Sequence, residues 1–545
     1  MKSISPLGQL ALKESLELTP RDYQVKIALG ALTKGNTLVV LPTGMGKTFI
    51  ATLVLSRILY TNPQSKFLFL APTKPLANQI HQNLVDYLDL PAEKIALLTG
   101  DQTPDKRLPV YLTASVICAT PQTIESDILS RKCDLNDFSL IVFDECHRVV
   151  GEYAYSFIAR NAKCKLLGLT ASPSSQDEKV QEICKNLKIE NVETTTSYEV
   201  KQFKKDVKLE WLSIEAPPWL PEIKKQLTDL IRETAQALKT LNYLESADVN
   251  KVNKRILLQA RGKILENMKV DKGAYQAMSL QAKLMNLLHA NDLLESQGLL
   301  PLHEFLSKLK DGESKAAISL ASDFRIQKTI FLADKFIKQG ENHPKEATVL
   351  QILNHDLKPG STAILFAHYK NTVERLTKIL NENNITAQAL TGKGAGGMTR
   401  KKQDAIVNSF RNNEFKVLVC TSVGEEGLDL TSVDLVLFYE PVPSEIRLIQ
   451  RRGRAGRTKE GKVIVLIAKG TKDEAMFWSS RRKEREMQEN VDELKEKYNK
   501  KETNENPTPT RTTTGKKENT LATPIGTDED TFTIKPAAQK KIGEY

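Results

Sequence analysis

The sequence has few cysteines, and they follow no pattern that would hold a metal ion or a set of disulfides. There is no Cys-x-x-Cys pair and no histidine grouping at zinc-site spacing. Scattered thiols of this kind are typical of intracellular proteins. The six cysteines are Cys118, Cys133, Cys146, Cys164, Cys184 and Cys420. The composition therefore argues against a zinc-stabilised or disulfide-rich fold.

Long apolar stretches are also missing. No run approaches the roughly 20 residues that a helix needs to cross a bilayer, and residues 1–5 do not begin the apolar core of a signal peptide. A membrane-spanning protein and a secreted protein are thus excluded from the predicted classes. We expect a cytosolic or nuclear location.

The length and charge narrow the remaining classes. A chain of 545 residues is too long for one hydrophobic core, which predicts about three domains. Lys and Arg outnumber Asp and Glu by 78 to 67, which gives a net charge of +11. This balance suits a polyanionic partner such as nucleic acid. A generally solvated basic surface would account for it equally well.

Two parts of the chain alternate short apolar runs with amphipathic stretches, which is the pattern of a parallel α/β sheet. The runs are 37–41, 67–70, 95–98, 115–118, 140–143 and 165–169 in the first part, and 363–367, 386–390, 416–420, 435–439 and 462–467 in the second. The pattern predicts two α/β domains, each built on its own sheet.

The region between these two parts has a different character. In residues 221–340, Ile223, Leu227 and Leu230 recur at helical spacing, and strand-like runs are nearly absent. Lysines and arginines crowd the first half of this region, and either a solvated helix face or a nucleic-acid surface would explain them. We therefore predict a helical insertion.

The predicted domains are 1–205 and 341–480 for the two α/β domains, 206–340 for the insertion, and 481–545 for a charged helix with a tail. The tail is rich in Thr, Pro, Asn and Lys beyond about Glu502. Such a composition buries too little apolar area to order itself, so we expect the tail to be disordered.

Residues 41–48 lie between an apolar run and an apolar-rich stretch at 49–59. A strand, a glycine turn and a helix start in this order form a phosphate-binding loop, because glycines let backbone N–H groups close on phosphate oxygens. We expect Lys47 at the β- and γ-phosphates and Thr48 at Mg²⁺. The strict pattern has a glycine where this chain has Leu41. The predicted nucleotide-binding residues are Leu41, Pro42, Thr43, Gly44, Met45, Gly46, Lys47 and Thr48.

Two carboxylates, Asp144 and Glu145, follow the apolar run 140–143. A Mg²⁺-dependent NTPase needs one acid to hold the metal and another to orient and deprotonate the attacking water. We assign Asp144 to the first task and Glu145 to the second. Paired acids also occur widely on protein surfaces, so this interpretation depends on their combination with the phosphate loop.

Residues 450–457, Gln-Arg-Arg-Gly-Arg-Ala-Gly-Arg, are the third chemical element. Arginines at this spacing can reach across a cleft and neutralise charge on the γ-phosphoryl group in the transition state. Arg454 and Arg457 are the predicted arginine fingers, with Gln450 near the γ-phosphate. A basic turn without a ligand is the alternative.

These elements, together with Thr170-Ala171-Ser172, resemble the motifs of superfamily 2 helicases and translocases over about residues 21–458. The resemblance implies two RecA-like domains that sandwich ATP and hydrolyse it with Mg²⁺. It also implies that Gln24 contacts adenine. Thr170 and Ser172 would couple hydrolysis to domain movement.

Several further segments resemble the nucleic-acid motifs of this family. Short hydroxyl side chains and glycine N–H groups at loop tips can grip successive phosphates without reading bases. We therefore expect sequence-independent binding that weakens as salt rises. The predicted contacts are Thr73, Gly100, Thr120, Gln122, Gly392 and Thr421. Asp429 is assigned to the nucleotide cleft instead, because its carboxylate would repel a phosphate strand.

The box Asp-Glu-Cys-His at 144–147, the segment 148–155 and the helical insertion most resemble archaeal Hef helicases and their eukaryotic Fanconi anaemia M relatives. The resemblance implies remodelling of stalled forks and Holliday junctions in DNA repair and fork restart, with a thumb-like insertion that grips duplex DNA. Leu41 is then a branch-specific form of the phosphate loop. An archaeal protein of this type would be cytoplasmic and nucleoid-associated, and a eukaryotic one nuclear.

Two alternatives to this function stay open. Dicer and RIG-I helicases share the box and a helical insertion, so double-stranded or structured RNA is the main rival substrate. A protein of another class, an ATP-gated scaffold on DNA, could also use these motifs without separating strands.

The last part of the sequence carries two further predictions. Euryarchaeal Hef has a nuclease domain with a Glu-Arg-Lys-x-x-x-Asp motif, which residues 482–486 lack, so we expect no nuclease activity and a separate nuclease partner for any incision. Gln539, Ile542 and Tyr545 have the spacing of a sliding-clamp peptide. The motif's other aromatic is missing, and a tail without a partner is the alternative.

Overall fold

The computed structural model describes residues 2–171, 173–174, 176–195, 207–268, 273–392, 397–421, 433–441 and 461–499. Some predicted site residues lie outside these ranges. They are Ser172, Asp429, Gln450, Arg454, Arg457, Gln539, Ile542 and Tyr545. The predicted disordered tail beyond Glu502 lies outside them as well.

The first α/β domain is built on a seven-stranded parallel sheet with the order β5-β6-β4-β7-β8-β3-β9. Its strands are β3 (Thr37–Val40), β4 (Phe67–Leu70), β5 (Ile95–Leu98), β6 (Val116–Ala119), β7 (Leu140–Asp144), β8 (Lys165–Thr170) and β9 (Asn191–Thr194). The six strands expected from apolar runs are confirmed to within one residue at each end. The hairpin β1 (Lys2–Ile4) and β2 (Gly8–Leu10) precedes the sheet.

Helices cover both faces of this sheet. Along β4, Phe67 and Phe69 belong to one hydrophobic core, and Leu68 and Leu70 belong to the other. This alternation follows from the two-residue repeat of a strand, and burial on both faces explains why the strands read as continuous apolar runs. The helices are α1 (Asp22–Thr33), α2 (Lys47–Thr61), α3 (Lys74–Tyr87), α4 (Pro104–Thr113), α5 (Pro121–Leu129), α6 (Ala154–Asn161) and α7 (Asp177–Asn186).

The second α/β domain is built on a six-stranded parallel sheet with the order β10-β15-β14-β11-β13-β12. Its strands are β10 (Val207–Ile214), β11 (Ala363–Phe366), β12 (Ala387–Leu390), β13 (Val417–Cys420), β14 (Leu435–Phe438) and β15 (Gly461–Ala468). The helices of this domain are α14 (Pro344–Asp356), α15 (Lys370–Glu382) and α16 (Arg400–Arg411), with α17 (Lys472–Asn499) after the last strand.

The helical insertion is a bundle with a hydrophobic core of its own. Ile223, Leu227 and Leu230, which indicated a helix in the sequence, lie in that core. Its helices are α8 (Leu220–Thr240), α9 (Lys254–Asn267), α10 (Gly273–Ser296), α11 (Leu299–Lys308), α12 (Lys315–Ala321) and α13 (Phe324–Lys338). Among the described residues, no helix combines the length and apolar character that a membrane span requires.

The structure differs from the predicted organisation at two places. Strand β10 lies within the range 206–340 expected for the insertion, yet it pairs with β15 along its whole length and so belongs to the second sheet. Helix α17 begins at Lys472, before the expected boundary at 481. The first difference arises because tertiary pairing, rather than local composition, decides which sheet a strand joins.

Helix α17 contacts both α/β domains. Near its start, Phe477 packs against Trp211 of β10, with ring centroids 4.6 Å apart. Near its end, Val491 and Leu494 lie in the same hydrophobic core as Ile183 of α7. A single helix therefore runs from the second sheet to the first.

A buried group of polar residues, called here the polar joint, connects the insertion to the second domain. It consists of Ser296, Lys345 and Asp473. The side chains of Lys345 and Asp473 are fully buried and form an ion pair. Lys345 Nζ donates to the Ser296 carbonyl at 3.3 Å, and Ser296 Oγ donates to Asp473 Oδ1 at 3.2 Å. Asp473 Oδ2 also accepts the Ala468 N–H at 3.2 Å, which ties the joint to β15.

Candidate nucleotide site and nucleic-acid interface

Three predicted site segments follow the neighbouring strands β7, β8 and β3. The parallel pairing sets Asp144 beside Leu169 and Val40 beside Thr170. The Leu41 N–H donates to the Thr170 carbonyl at 3.1 Å. Open α/β sheets bind ligands at the carboxyl ends of their strands. The phosphate loop, the two carboxylates and Thr170 therefore share one edge of the first sheet.

The phosphate loop has the conformation that its two glycines allow. Gly44 and Gly46 have φ values of 81° and 76°, in the left-handed region that disfavours other residues. A Cβ at Gly46 would also lie 2.4 Å from Gln24 Nε2. Helix α2 begins directly after this turn, at Lys47, so its N-terminal N–H groups lie at the loop.

Lys47 explains why the loop accepts Leu41 in place of a glycine. The Lys47 ammonium donates to the carbonyl oxygens of Leu41 and Pro42, at 3.0 and 3.4 Å. The Leu41 side chain is fully buried in the core of the sheet. The loop thus uses only the backbone of Leu41, and an apolar side chain is compatible with phosphate binding there.

Gln24 is attached to the phosphate loop. It is buried, and its Nε2 donates to the Met45 carbonyl at 3.1 Å while its Oε1 accepts the Arg21 N–H at 2.9 Å. The Tyr23 hydroxyl donates to the same Met45 carbonyl at 2.8 Å. The structure therefore places Gln24 beside the loop, and its contact with adenine remains a prediction.

The two carboxylates occupy different environments. Asp144 is buried at the end of β7, and its Oδ1 accepts the Glu145 N–H at 3.0 Å. The hydroxyl of Tyr155, itself fully buried, lies 2.8 Å from the Asp144 carbonyl and fixes the end of the strand. Glu145 has φ 51° and ψ 48°, a left-handed conformation that is uncommon outside glycine and is found at functional sites.

Glu145 is held in its ionised form. Burial raises the pKa of this carboxyl, but the hydrogen bond from His147 and the charges of His147, Lys47 and Arg148 outweigh burial and bring the pKa below its ordinary value. A carboxylate that stays ionised can accept a proton from water. The site can therefore supply the base that hydrolysis of a nucleoside triphosphate requires.

His147 links this base to the predicted coupling segment. Its Nδ1 lies 3.3 Å from Glu145 Oε2 and 3.4 Å from Thr170 Oγ1. Sequence reasoning gave no role to His147 or Tyr155. His147 could have been found from the sequence, because it belongs to the Asp-Glu-Cys-His box at 144–147. Tyr155 could not, because its contact with Asp144 forms only when α6 packs against β7.

Four predicted nucleic-acid contacts lie along the other half of the same sheet edge. Thr73, Gly100 and Thr120 follow β4, β5 and β6, which are adjacent strands. Gln122 lies in the first turn of α5, and its Nε2 donates to the Tyr153 hydroxyl at 3.1 Å. Gly100 and Gln122 line one open cavity of about 460 Å³. The structure thus brings these four residues together.

The Thr120 side chain is less accessible than the prediction of a phosphate contact assumed. Thr120 is buried, and its hydroxyl lies 2.8 Å from that of Thr123. Thr120 and Thr73 are the N-terminal caps of α5 and α3, where backbone N–H groups favour anions. The helix ends offer backbone N–H groups at this edge, whereas the Thr120 hydroxyl is already paired with Thr123.

Gly392 and Thr421 form a corresponding pair in the second domain. They follow the adjacent strands β12 and β13, and the Thr421 N–H donates to the Leu390 carbonyl at 3.2 Å. Gly392 and Thr421 therefore lie at the carboxyl ends of neighbouring strands of the second sheet.

A buried ion pair supports the loop that carries Gly100. Arg107 donates from Nε and Nη2 to both oxygens of Asp127, at 2.8 and 2.5 Å, and both side chains are buried. The Tyr111 hydroxyl donates to Asp127 Oδ2 at 2.8 Å, and Arg107 also donates to the Gln102 carbonyl. No motif in the sequence pointed to this pair, since its members are far apart along the chain.

The chain matches three known families over consecutive segments. Residues 21–183 match the DEAD/DEAH box helicase family, residues 219–340 match the helical bundle of a putative ATP-dependent RNA helicase, and residues 344–459 match the helicase conserved C-terminal domain. These matches imply ATP binding.

Similar proteins come from archaea, plants and fungi. The chain is 40% identical over 480 residues to the putative ATP-dependent RNA helicase MJ1505 of Methanocaldococcus jannaschii. The matched region covers 86% of this chain and 60% of that protein. It is 34% identical to the DEAD-box ATP-dependent RNA helicase FANCM of Arabidopsis thaliana, over 83% of this chain and 35% of that one. It is 32% identical to the ATP-dependent DNA helicase mph1 of Neurospora crassa, over 83% of this chain and 41% of that protein. The chain thus spans between about a third and three fifths of the length of these relatives.

A solved structure matches nearly from end to end. The helicase domain of Hef from Pyrococcus furiosus has 42% sequence identity and a TM-score of 0.66, over 85% of this chain and 98% of that chain. Two parallel-sheet domains separated by a helical insertion are the architecture expected from the sequence, and that expectation is confirmed. The chain belongs to the Hef and Fanconi anaemia M family of superfamily 2 DExH-box helicases.

Proposed function

We propose that this protein is an ATP-dependent DNA helicase or translocase that acts on branched DNA, such as stalled forks and Holliday junctions, in DNA repair and fork restart. The observation that carries the proposal is the common sheet edge, where Lys47, Glu145 and Thr170 meet at one end and Thr73 and Gly100 at the other. In this proposal, nucleotide chemistry and strand contact therefore use one sheet.

The nucleotide reaction would use the residues of the first sheet as follows. Gly44 and Gly46 open the loop to phosphate oxygens, and Lys47 neutralises the β- and γ-phosphates. Thr48, at the start of α2, and Asp144 provide the oxygen atoms that Mg²⁺ prefers, and the bound ion would neutralise charge on the phosphates. Glu145 orients the attacking water and takes its proton.

The second domain would complete the reaction. Arg454 and Arg457 act as arginine fingers in this proposal, with Gln450 near the γ-phosphate and Asp429 in the same cleft. In the first domain, Gln24 contacts adenine. These roles rest on the family resemblance, since four of the five residues lie outside the described ranges.

Coupling to movement would pass through His147. Its ring stands between Glu145 and Thr170, so a change at the carboxylate alters a hydrogen-bond partner of the segment that ends β8. Ser172 is the further predicted member of this segment. In this proposal, hydrolysis is therefore linked to the segment that ends β8.

The strand path would cross both domains. Thr73, Gly100, Thr120 and Gln122 hold it on the first sheet, and Gly392 and Thr421 hold it on the second. In this proposal residues 1–205 and 341–480 are the RecA-like motor domains, residues 206–340 are the thumb-like insertion that grips duplex, and residues 481–545 follow the motor.

The experiment that tests the substrate compares ATPase rates with fork DNA, plain duplex DNA and duplex RNA at one salt concentration. We expect fork DNA to stimulate most and RNA least. The Lys47→Ala variant is the control, since it should lose turnover and retain DNA binding. Stronger stimulation by RNA would contradict the DNA assignment and favour the RNA alternative. That alternative is supported by the names of the Methanocaldococcus and Arabidopsis relatives, which are RNA helicases by description.

A second measurement separates a motor from a scaffold. Strand displacement and fork reversal should accompany ATP hydrolysis if the protein is a translocase. DNA-stimulated ATPase without any remodelling would instead support an ATP-gated scaffold.

Two partners belong to this proposal. A sliding clamp would bind through Gln539, Ile542 and Tyr545, and a separate nuclease would make any incision. Replacement of Ile542 and Tyr545 by Ala should abolish clamp binding in a pull-down.

The basic region and the nucleic-acid motifs support a location at the nucleoid, or in the nucleus of a eukaryote.

A further inference from the structure

Tyr155 joins two strands of the first sheet that serve different parts of the candidate site. Its hydroxyl lies 2.8 Å from the Asp144 carbonyl and 3.1 Å from the Leu70 carbonyl, and the residue is fully buried. Asp144 ends β7, which carries the carboxylates of the nucleotide site. Leu70 ends β4, which leads to the predicted nucleic-acid contact Thr73. A single hydroxyl therefore fixes the ends of both strands relative to each other.

The Tyr155 hydroxyl is kept as a hydrogen-bond donor. Burial, reinforced by the charge of Asp144, holds the pKa of this hydroxyl well above its ordinary value of 10. The ring packs edge-on against Phe143, with centroids 5.5 Å apart. A phenylalanine ring would make the same contact, so packing alone does not require the hydroxyl. The hydroxyl adds a bond to the backbone of Asp144, the residue proposed to hold Mg²⁺.

Tyr153 connects Tyr155 to the nucleic-acid interface. The two rings pack edge-on, with centroids 5.5 Å apart and planes at 78°. The Tyr153 hydroxyl accepts a hydrogen bond from Gln122 Nε2 at 3.1 Å. Gln122 is exposed, and with Gly100 it lines the open cavity of about 460 Å³ on this sheet edge. Consecutive contacts thus run from the cavity to the end of β7.

The contact between Gln122 and Tyr153 is one that a bound nucleic acid would change. A phosphate oxygen is a better acceptor for the Gln122 amide than a neutral phenol, because hydrogen bonds to ionised groups are shorter and stronger. A strand in the cavity would therefore draw the amide away from Tyr153. Tyr153 directly precedes α6 and is only partly buried, so its ring is less constrained than that of Tyr155.

We infer that Tyr153 and Tyr155, called here the tyrosine pair, are positioning residues that link occupancy of the cavity to the placement of Asp144. Occupancy moves the Tyr153 ring, the Tyr155 hydroxyl follows, and the end of β7 takes the position that hydrolysis requires. The inference rests on the proposed function and adds to it a link within the first domain that is separate from His147. Because coupling between two sites is reciprocal, bound nucleotide should also change the affinity of the cavity for DNA.

Removal of the two hydroxyls tests this link. Tyr153→Phe and Tyr155→Phe keep both ring contacts and delete one hydroxyl each. The measured quantity is the stimulation ratio, which is the ATPase rate with saturating fork DNA divided by the rate without DNA. We expect each variant to lower this ratio about fivefold, the low end of the range for coupled sites. Ratios equal to that of wild type in both variants would overturn the inference.

A binding measurement tests the same link without turnover. A non-hydrolysable ATP analogue should change the Kd of the wild-type protein for fluorescent fork DNA, and it should change the Kd less in both tyrosine variants. A merely structural role would lower the unfolding temperature and leave this nucleotide effect as in wild type. Tyr439→Phe is the matched control, because this tyrosine is also buried but belongs to the core of the second sheet. It should leave both readouts unchanged.

A double-mutant cycle tests whether the two ends of this series of contacts are linked. Among the contacts between described residues, Gln122 and Tyr155 meet only through Tyr153. If they act through it, the combined Gln122→Ala and Tyr155→Phe variant should lose about as much of the stimulation ratio as the more severe single variant. Independent effects would instead multiply, and that result would overturn the inference. Saturating DNA is used because Gln122→Ala also weakens the predicted strand contact.

The outcomes keep this inference separate from the proposed function. If wild-type ATPase does not respond to fork DNA, the proposed function fails and the inference fails with it. If wild-type ATPase responds and the two tyrosine variants respond equally well, only the inference about the tyrosine pair fails.

Discussion

The nucleotide site and the polar joint both bury charge, but they do so in different ways. In the site, Glu145 and Lys47 belong to segments at a strand edge, where a ligand binds, and the carboxylate is kept ionised by nearby cations. In the joint, Lys345 and Asp473 are fully buried and neutralise each other. The comparison teaches that burial alone does not identify a reactive group. A buried charge is a candidate reactive group when it lies where a ligand can reach it, and not when another charge within the fold neutralises it.

The largest expected effect concerns the nucleotide site. Glu145→Gln keeps the size of the side chain and removes the base, so we expect ATPase activity to fall by about 10²–10⁴-fold. The unfolding temperature should change little, because the site contributes through chemistry and not through packing. Full activity in this variant, checked by phosphate release with fork DNA, would remove the distinction drawn between the two regions.

The next effect concerns the polar joint. Asp473→Ala leaves the Lys345 ammonium buried without its carboxylate, which should lower the free energy of unfolding by about 3–5 kcal/mol. Urea denaturation followed by tryptophan fluorescence measures this loss. The matched control is Asp334→Ala, which breaks the exposed pair with Lys338 at 2.6 Å and should cost about 0–1 kcal/mol. Similar losses in the two variants would show that the joint is no more than a surface pair.

The smallest effect is a pH dependence at the edge of the joint. Burial, with the nearby charge of Lys345, holds the pKa of His343 well below its ordinary value of 6.5. The stability that neutral His343 contributes is therefore fully present above pH 6.5, and it is lost as the pH falls toward the folded-state pKa. His343→Asn keeps an acceptor for the Lys345 N–H and does not titrate. Its unfolding temperature should vary less than that of wild type between about pH 5 and 6.5, and equal slopes would contradict this account.

The sequence predicted the parts of the fold that are coded locally. Eleven strands were found because strands buried on both faces read as continuous apolar runs. Strand β10 was missed, although Lys208 and Glu210 alternate with apolar neighbours there, because a short alternating run at the edge of a sheet resembles a linker in the sequence. Strand β9 is short and partly exposed, and Glu193 within it hides the pattern.

The candidate site shows the same division. The phosphate loop, Asp144, Glu145 and Thr170 were predicted because each lies in a short motif whose chemistry is readable in order. The Arg107–Asp127 pair and the polar joint could not be predicted, since their members meet only after the chain has folded. The Thr120 hydroxyl was assigned to the strand path from its motif, and only the structure shows that Thr123 occupies it.

Helix α17 limits how the two sheets can move apart. Its 28 residues would extend about 42 Å at 1.5 Å per residue, with Asp473 buried at one end and Leu494 at the other. A helix does not lengthen, so the distance between its two attachments is fixed while both remain packed. Rotation about the helix keeps both attachments, whereas separation along it requires the Val491 and Leu494 contact to break. While both ends of α17 remain packed, its length therefore sets the largest separation of the two sheets along the helix.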